Sequence, residues 1–261
     1  MSVHSTAIVE AGAHIPDSCK VGPYCTIGAN VILGEGCELV SHVVLDGHLT
    51  LGRGVTVFSF ACIGIAPQDL KYRNEPTRVT IGDETVIREY VTISRGTAGG
   101  GGLTSVGANC LIMAYTHIGH DSAVGNGCIL ANAATLAGHV IVEDYAVVGA
   151  LCPVHQFCRI GRYAYIGGGT TITQDVLPYS LTSIARDNHA YGLNKLGLER
   201  RGFTPEELKE LRAAYRLLVS GKKNVSQALV EIRARLDAGE AGEHVQYLVD
   251  FVAKSERGVI R

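Results

Sequence analysis

The chain of 261 residues is long enough for one large or two modest domains, and its formal net charge of −2 excludes the globally basic surface that binds nucleic acid or an anionic membrane. It carries neither an amino-terminal basic-then-apolar signal nor a run of eighteen apolar residues, so a soluble, cytoplasmic protein without stable membrane insertion is expected. Tryptophan is absent, charged residues make up 18 % and glycines number 32, a composition foreign to ordinary helical or doubly wound domains.

From Val9 onward an aliphatic residue recurs at every sixth position: Ile15, Val21, Ile27, Leu33, Leu39, Leu45, Leu51, Val57 and Ile63. The charged stretch APQDLKYRNEPTRV, 66–79, interrupts the series, which resumes in phase at Ile81, Ile87 and Ile93. The glycine-rich break TAGGGG shifts the phase by one residue. The series then runs from Val106 through Ile112, Ile118, Val124, Leu130, Leu136, Val142, Val148, Val154, Ile160, Ile166 and Ile172. A period of six fits neither the 3.6 residues of a helix nor plain two-residue alternation; it fits a short strand, a turn and another short strand, with one large aliphatic side chain inward per unit. The position two before each aliphatic residue is usually small, and seven of the eight cysteines fall in that phase, Cys62 being the exception. No close C-x-x-C pair occurs, so the cysteines read as small buried apolar residues rather than disulfides or zinc ligands.

This pattern resembles the hexapeptide-repeat proteins, whose chain winds as a left-handed parallel β-helix of triangular cross-section, three hexads to a coil of eighteen residues. The left hand is implied by the resemblance and runs against the usual right-handed crossover. Such a solenoid needs its open end covered. In FTPEELKELRAAYRLL, Thr204 is placed as N-cap, Pro205 as the first helical residue and Glu207 as the partner in a capping box. Further helical patterns follow at about 226–237 and 241–255. The expected layout is an all-β left-handed parallel β-helix over 1–185, with loop insertions at about 66–80 and 97–104, followed by a C-terminal α-helical domain over 186–261.

In coils of eighteen residues, positions eighteen apart sit above one another, on strands ~4.8 Å apart. The stretch MAYTHIGHD, 113–121, places His117 and His120 three apart with Asp121 directly behind. One coil above His120 lies Gly138 with His139 beside it, and a second coil leads to Gln156 with His155 beside it. Local spacing alone leaves catalysis, a metal site and polar decoration of a turn open. Four of the ten histidines on one edge favour a site, whereas His42 and His48 read as incidental corner residues.

A histidine can accept a proton near neutral pH, and Asp121 can fix the tautomer of His120 and stabilise its imidazolium. The bare N–H of Gly138 can approach a ligand closely, as an oxyanion donor for acyl transfer. No serine or cysteine accompanies His120 as a nucleophile, so direct attack by a substrate hydroxyl is the economical form. In the first insertion Lys71 suits a phosphate and Asp69 a sugar hydroxyl. The glycine run at 99–102 lacks the strand-to-helix context and the Lys-Ser/Thr ending of a phosphate-binding loop. Near the domain junction, Asn194 precedes Arg200 and Arg201, a pair suited to a pyrophosphate or an acidic protein.

Taken together, QDLKY at 68–72, EPTRV at 75–79, HIGHD at 117–121, LAGHV at 136–140, VHQFC at 154–158 and RRGF at 200–203 resemble the UDP-N-acetylglucosamine O-acyltransferase family over essentially the whole chain. The resemblance implies that His120 is a general base, deprotonating the sugar 3-hydroxyl for attack on the thioester of a 3-hydroxyacyl chain on acyl carrier protein, at the first step of lipid A biosynthesis. It implies that Asp121 assists the base and that the Gly138 N–H is the oxyanion donor. Gln68, Asp69, Lys71, His117, His139, His155 and Gln156 then match substrate-contacting positions. Asn194, Arg200 and Arg201 match the region meeting the nucleotide and the phosphopantetheine arm. Gly168 falls where members differ in side-chain size to set acyl length; glycine leaves room for a longer chain, with His189 as an end-stop. The resemblance further implies a homotrimer with sites between subunits, no metal, and no cofactor beyond the donor's own phosphopantetheine. Two positions depart from the family pattern: Gly119 stands for the usual alanine, and Leu196 for a residue acidic in some members. The alternatives are a UDP-3-amino-sugar N-acyltransferase variant, a zinc-dependent carbonic-anhydrase-like hexapeptide protein built on convergent histidines, and a structural solenoid without activity.

Overall fold

The computed structural model describes residues 2–185, 187–219 and 223–260, and the side chains of 183–191 lie outside the described residues. Each hexad forms a short strand and a corner, and successive strands visit three parallel sheets in rotation. The first face begins with Ser2–Val3 and Lys20–Val21, the second with Ile8–Val9 and Thr26–Ile27, the third with Val31–Leu33 and His48–Leu51. The fold is a left-handed parallel β-helix with a small helical region at its carboxyl end. Coils stack in register: Ile118 pairs with Ile93 below it and Leu136 above, and Leu136 with Val154. The register shifts between Ile63 and Ile65, just before the first insertion departs, and is regained beyond both insertions, where Ile81 pairs with Leu51 and Val106 with Ile81.

Twenty-three of the twenty-five hexad aliphatics are buried; the exceptions, Val9 and Ile15, sit in the first coil, which has no coil beneath it. Each buried side chain of this size contributes about 1.5–3 kcal/mol. The small residues two positions earlier have a second role. Cys37 Sγ donates to Gly52 O (3.1 Å), Cys128 Sγ to Glu143 O (3.2 Å) and Ser122 Oγ to Ala137 O (3.0 Å), each reaching a corner carbonyl of the next coil. Seven cysteines are buried and Cys62 is half-buried, all as free thiols; burial pushes Cys37 and Cys158 up to about 11.

Corners turn through one residue of positive φ, and many of these are not glycine. At the corner joining the first face to the second, Tyr24, His42, Phe60, Tyr90 and Tyr115 occupy that position, their rings stacked with centroids 4.9 Å apart. A left-handed L-residue is strained by about 1–2 kcal/mol, and an aromatic pair returns about 0.5–1.5 kcal/mol. His42 is therefore a rung of an aromatic ladder.

Above Tyr165–Ile166 the first sheet ends in a hairpin that the hexad period does not announce: Ser180–Ala185 runs parallel to Tyr165–Ile166 and antiparallel to Asp187–Leu193. Among the described residues four helices follow, α1 (Lys195–Glu199), α2 (Pro205–Val219), α3 (Val225–Asp237) and α4 (Glu243–Ala253). The capping box of α2 forms as the sequence predicts, with Thr204 N–H on Glu207 Oε2 (2.7 Å) and Glu207 N–H on Thr204 Oγ1 (3.2 Å). The short α1 is not anticipated. Leu211, Leu218, Ile232, Leu248 and Val249 pack against one another and against Leu177 and Tyr179 of the last coil. The residue that joins the β-helix core itself is Ile260, held by its N–H on Asp175 O (2.8 Å).

This packing sets an expectation for the thiols. In the native protein, Ellman's reagent should modify no more than Cys62, and all eight cysteines only after unfolding; several fast-reacting thiols in the folded state would contradict the packed interior.

Candidate active site

The corner that joins the second face to the third is crossed between Ile65 and Arg78, between Ser94 and Leu103, and again after Ile118, Leu136 and Val154. Both insertions emerge on this edge, and so do the four clustered histidines. Gln68, Asp69, Lys71, His120, Asp121, Gly138, His139, His155 and Gln156 are thereby brought to one side of the prism, with His117 on the strand just before the corner. Asp69 Oδ1 accepts the Lys71 N–H (2.9 Å), an Asx turn that leaves Leu70 96 % exposed with Lys71 beside it. Arg95 ties the first insertion to the strand Cys62–Ile65 that it leaves: its Nε donates to Tyr72 Oη (2.7 Å) and its Nη1 to Gly64 O (3.1 Å).

Asp121 is the buried centre of the site, its side chain 0 % exposed. Its Oδ2 lies 2.8 Å from His120 Nδ1 and accepts Thr97 Oγ1 at 2.7 Å, while Oδ1 accepts the Thr97 N–H at 2.9 Å. Its backbone has φ 59°, and its N–H is fixed by Thr104 Oγ1 at 2.8 Å. Burial works against the charge of this carboxyl, but the hydrogen bonds from Thr97 and His120 outweigh it and hold the group below the usual carboxylate range. Its stabilising contribution is thus present above that range and is lost as pH falls through the depressed value. An ionised carboxylate only accepts, so the His120 proton sits on Nδ1 and Nε2 keeps its lone pair.

Gly138 lies against that imidazole. A Cβ added there would fall 2.7 Å from both Nε2 and Cε1 of His120, so no other residue fits without displacing the ring. The flanking N–H groups are committed, Ala137 to Val154 O (3.1 Å) and His139 to His120 O (2.9 Å). At Gly119, a Cβ would lie 2.7 Å from the Ala137 carbonyl carbon, so glycine there lets the next coil sit close.

His117 Nδ1 is bonded to Thr92 Oγ1 (2.8 Å) on the coil below. Burial, and to a lesser extent the nearby His120, push this imidazole below its ordinary value. His139 stands edge-on to His120 (centroids 5.1 Å, 87°) and stacks on Phe157 (4.6 Å, 12°). His155 is exposed, with Nδ1 3.1 Å from Gln156 O. Among the described residues, His120, Asp121 and His139 form the one grouping able to offer three metal ligands, their atoms within 4.8 Å of one another. Within it, His120 Nδ1 and both Asp121 oxygens already hold hydrogen bonds.

The remaining residues singled out in the sequence stand on other corners of the same chain. Gly168 follows Tyr165–Ile166, on the edge between the first and second faces, and is exposed. Asn194 caps α1: its Oδ1 accepts the Gly197 N–H (3.3 Å) and its Nδ2 donates to Tyr163 O (3.1 Å). Arg201 lies over the rings of Tyr145 (4.5 Å) and Tyr163 (5.7 Å), on the edge between the third and first faces, with Arg200 exposed beside it. The His189 side chain lies outside the described residues. Sequence reading missed Thr92, Thr97, Thr104 and Phe157. Phase arithmetic reaches Phe157, eighteen residues beyond His139; nothing in the repeat points to Thr97, which sits inside an insertion.

Residues 12–47 and 104–138 match the family model described as bacterial transferase hexapeptide (six repeats), placing the chain among the hexapeptide-repeat transferases. Residues 175–260 match the second domain of UDP-N-acetylglucosamine O-acyltransferase. The chain is 39 % identical to the UDP-N-acetylglucosamine acyltransferase of Francisella novicida, with TM-score 0.94 over 99 % of this chain and 94 % of that one. It is 38 % identical to the O-acyltransferase of Moraxella catarrhalis (TM-score 0.94, 100 % of both chains). It is 34 % identical to the Arabidopsis enzyme (TM-score 0.85, 99 % of this chain and 100 % of that one). The chain belongs to the UDP-N-acetylglucosamine O-acyltransferase family and is an acyltransferase.

The geometry predicts the titration of His117. Followed by NMR, its ring should protonate below the ordinary histidine range and move upward in His120→Ala, which removes the neighbouring imidazole that disfavours a second proton and opens the site to water. A downward shift in that variant would contradict the described contact.

Proposed function

We propose that this acyltransferase moves a 3-hydroxyacyl chain from acyl carrier protein to the 3-hydroxyl of UDP-N-acetylglucosamine, the first step of lipid A biosynthesis, with His120 as general base. The observation that carries the reading is the buried Asp121 bonded to His120 Nδ1, which leaves Nε2 free as a proton acceptor beside Gly138, where any Cβ would press on the ring. Nε2 takes the hydroxyl proton as the sugar oxygen attacks the thioester carbon. The tetrahedral oxyanion receives the Gly138 N–H. Collapse expels the phosphopantetheine thiolate, which recovers the proton from the imidazolium. Asp121 stabilises that imidazolium and keeps its orientation.

His117, His139, His155 and Gln156 contact the sugar and the acyl carbonyl in this reading, while Gln68, Asp69 and Lys71 reach the sugar and phosphates from the exposed loop. A histidine edge offers one wall. Gly168, Asn194, Arg200 and Arg201 stand on the other two corners, so a neighbouring subunit completes the cleft in a homotrimer. There Gly168, with His189 as end-stop, sets the acyl length, and Asn194, Arg200 and Arg201 meet the nucleotide and the carrier's phosphopantetheine arm. A thioester is reactive enough to need no Lewis acid, and the reaction so read uses no metal and no cofactor beyond that arm. The protein works in the cytoplasm, without membrane insertion; among the described residues no helix is long and apolar enough to cross a membrane.

Incubation with UDP-N-acetylglucosamine, or its 3-amino analogue, and a panel of acyl carrier protein thioesters should give a product whose mass reports sugar and chain length. His120→Ala should lower kcat by about 10²–10⁴-fold, and activity should survive a chelator within about twofold. Absence of product from every donor, or full activity of His120→Ala, would sink the proposal; loss on chelation with recovery by zinc would favour the metal reading.

A further inference from the structure

We infer that Thr97 is a positioning residue for the His120–Asp121 pair, and that the glycine-rich insertion between Ser94 and Leu103 serves to deliver it. The inference rests on the reading of His120 as the base. One coil beneath that residue the chain leaves the repeat after Ser94 and rejoins it at Leu103. Coil geometry does not require the detour, because Ile81 and Val106 pair in register across it. What the detour achieves is contact with a buried carboxylate. The Thr97 N–H holds Asp121 Oδ1 (2.9 Å) and the Thr97 hydroxyl holds Oδ2 (2.7 Å), so one residue grips both oxygens. The third bond, on Oδ2, is the one to His120 Nδ1 (2.8 Å). A carboxylate held at both ends does not rotate about its Cβ–Cγ bond, and the imidazole bonded to it keeps its aim.

Two further features agree. Thr97 Oγ1 also accepts the Gly100 N–H (3.1 Å), which occupies a lone pair and leaves the single hydroxyl proton for Asp121. Within the glycine run, a Cβ at Gly100 would lie 2.1 Å from Asp121 Cγ, whereas Gly99 and Gly101 open into free space. Gly100 is thus the glycine that the carboxylate demands. The titratable groups facing Asp121 are His120 and His139, the latter with Nε2 3.9 Å from Oδ2; His117 lies beyond His120. Removing the Thr97 hydroxyl leaves more negative charge on Oδ2 toward these rings, and favours the protonated imidazole.

Thr97→Val keeps shape and N–H but deletes the hydroxyl; Thr97→Ser keeps the hydroxyl. Thr97→Val should lower kcat about tenfold with KM for the sugar nucleotide within about twofold, and should move the acid limb of the pH–rate profile to higher pH. Thr97→Ser should restore both. In an Asp121→Asn background, Thr97→Val should cost less than about twofold more, because the group it acts through is gone. Gly100→Ala, which displaces the carboxylate while leaving the hydroxyl, is the second variant and should also reduce kcat with KM kept. Wild-type kcat and acid limb in Thr97→Val overturn the inference; so does an equal loss in the Asp121→Asn background, which assigns Thr97 to loop structure alone. Wild-type kcat in Gly100→Ala overturns it too. Full activity of His120→Ala removes the reading of the base itself, whereas an inactive His120→Ala with a normal Thr97→Val removes only this inference.

Discussion

Coil-on-coil register is the constraint on which the rest of the structure depends. A strand of two residues has no stability of its own; it exists because its backbone groups are paired with coils above and below and its aliphatic side chain closes a layer of the core. Once that alignment is fixed, everything outside the core is placed by it. His139 lies above Asp121 and Phe157 above His139 because each holds the same position of the same corner, eighteen residues on. The site needs no separate folding event. It is a column of side chains carried by a column of apolar ones.

The corners carry the chemistry because the faces have none to give. Inward positions are aliphatic or small, and even the small polar ones spend their donors on the carbonyl of the next coil. At the corners the backbone turns through positive φ, and side chains project into stacks. On one edge these are aromatic rings in van der Waals contact; on another they are Asp121, His139 and Phe157. The same geometry that strains an aspartate at φ 59° also buries its carboxylate, where Thr97 and Thr104 hold it. Local strain and hydrogen bonding here belong to one arrangement.

Much of this was legible in the sequence, for a physical reason: period six is a direct image of the coil. It placed the core, accounted for the cysteines, and put His120 beside Gly138 and His139 beside Gln156's coil. The capping box of α2 is equally local and was equally readable. What periodicity cannot reach is whatever leaves it. The hairpin Ser180–Ala185 and Asp187–Leu193 follows the last hexad, and α1 is only five residues long. Thr97 sits in an insertion where phase carries no information, although its glycines hint at a close approach. Thr92 was accessible, since the one-residue phase shift relates it to His117.

The two insertions leave the prism at a single register shift, between Ile63 and Ile65, and re-enter it with Leu51 paired to Ile81 and Ile81 to Val106. What is displayed at these corners is therefore separable from foldedness. The first insertion behaves as a replaceable cassette on the solenoid beneath it, whereas the second is tied to its place by the bonds of Thr97 to Asp121. An engineer could graft new segments onto that first corner without rebuilding the coils.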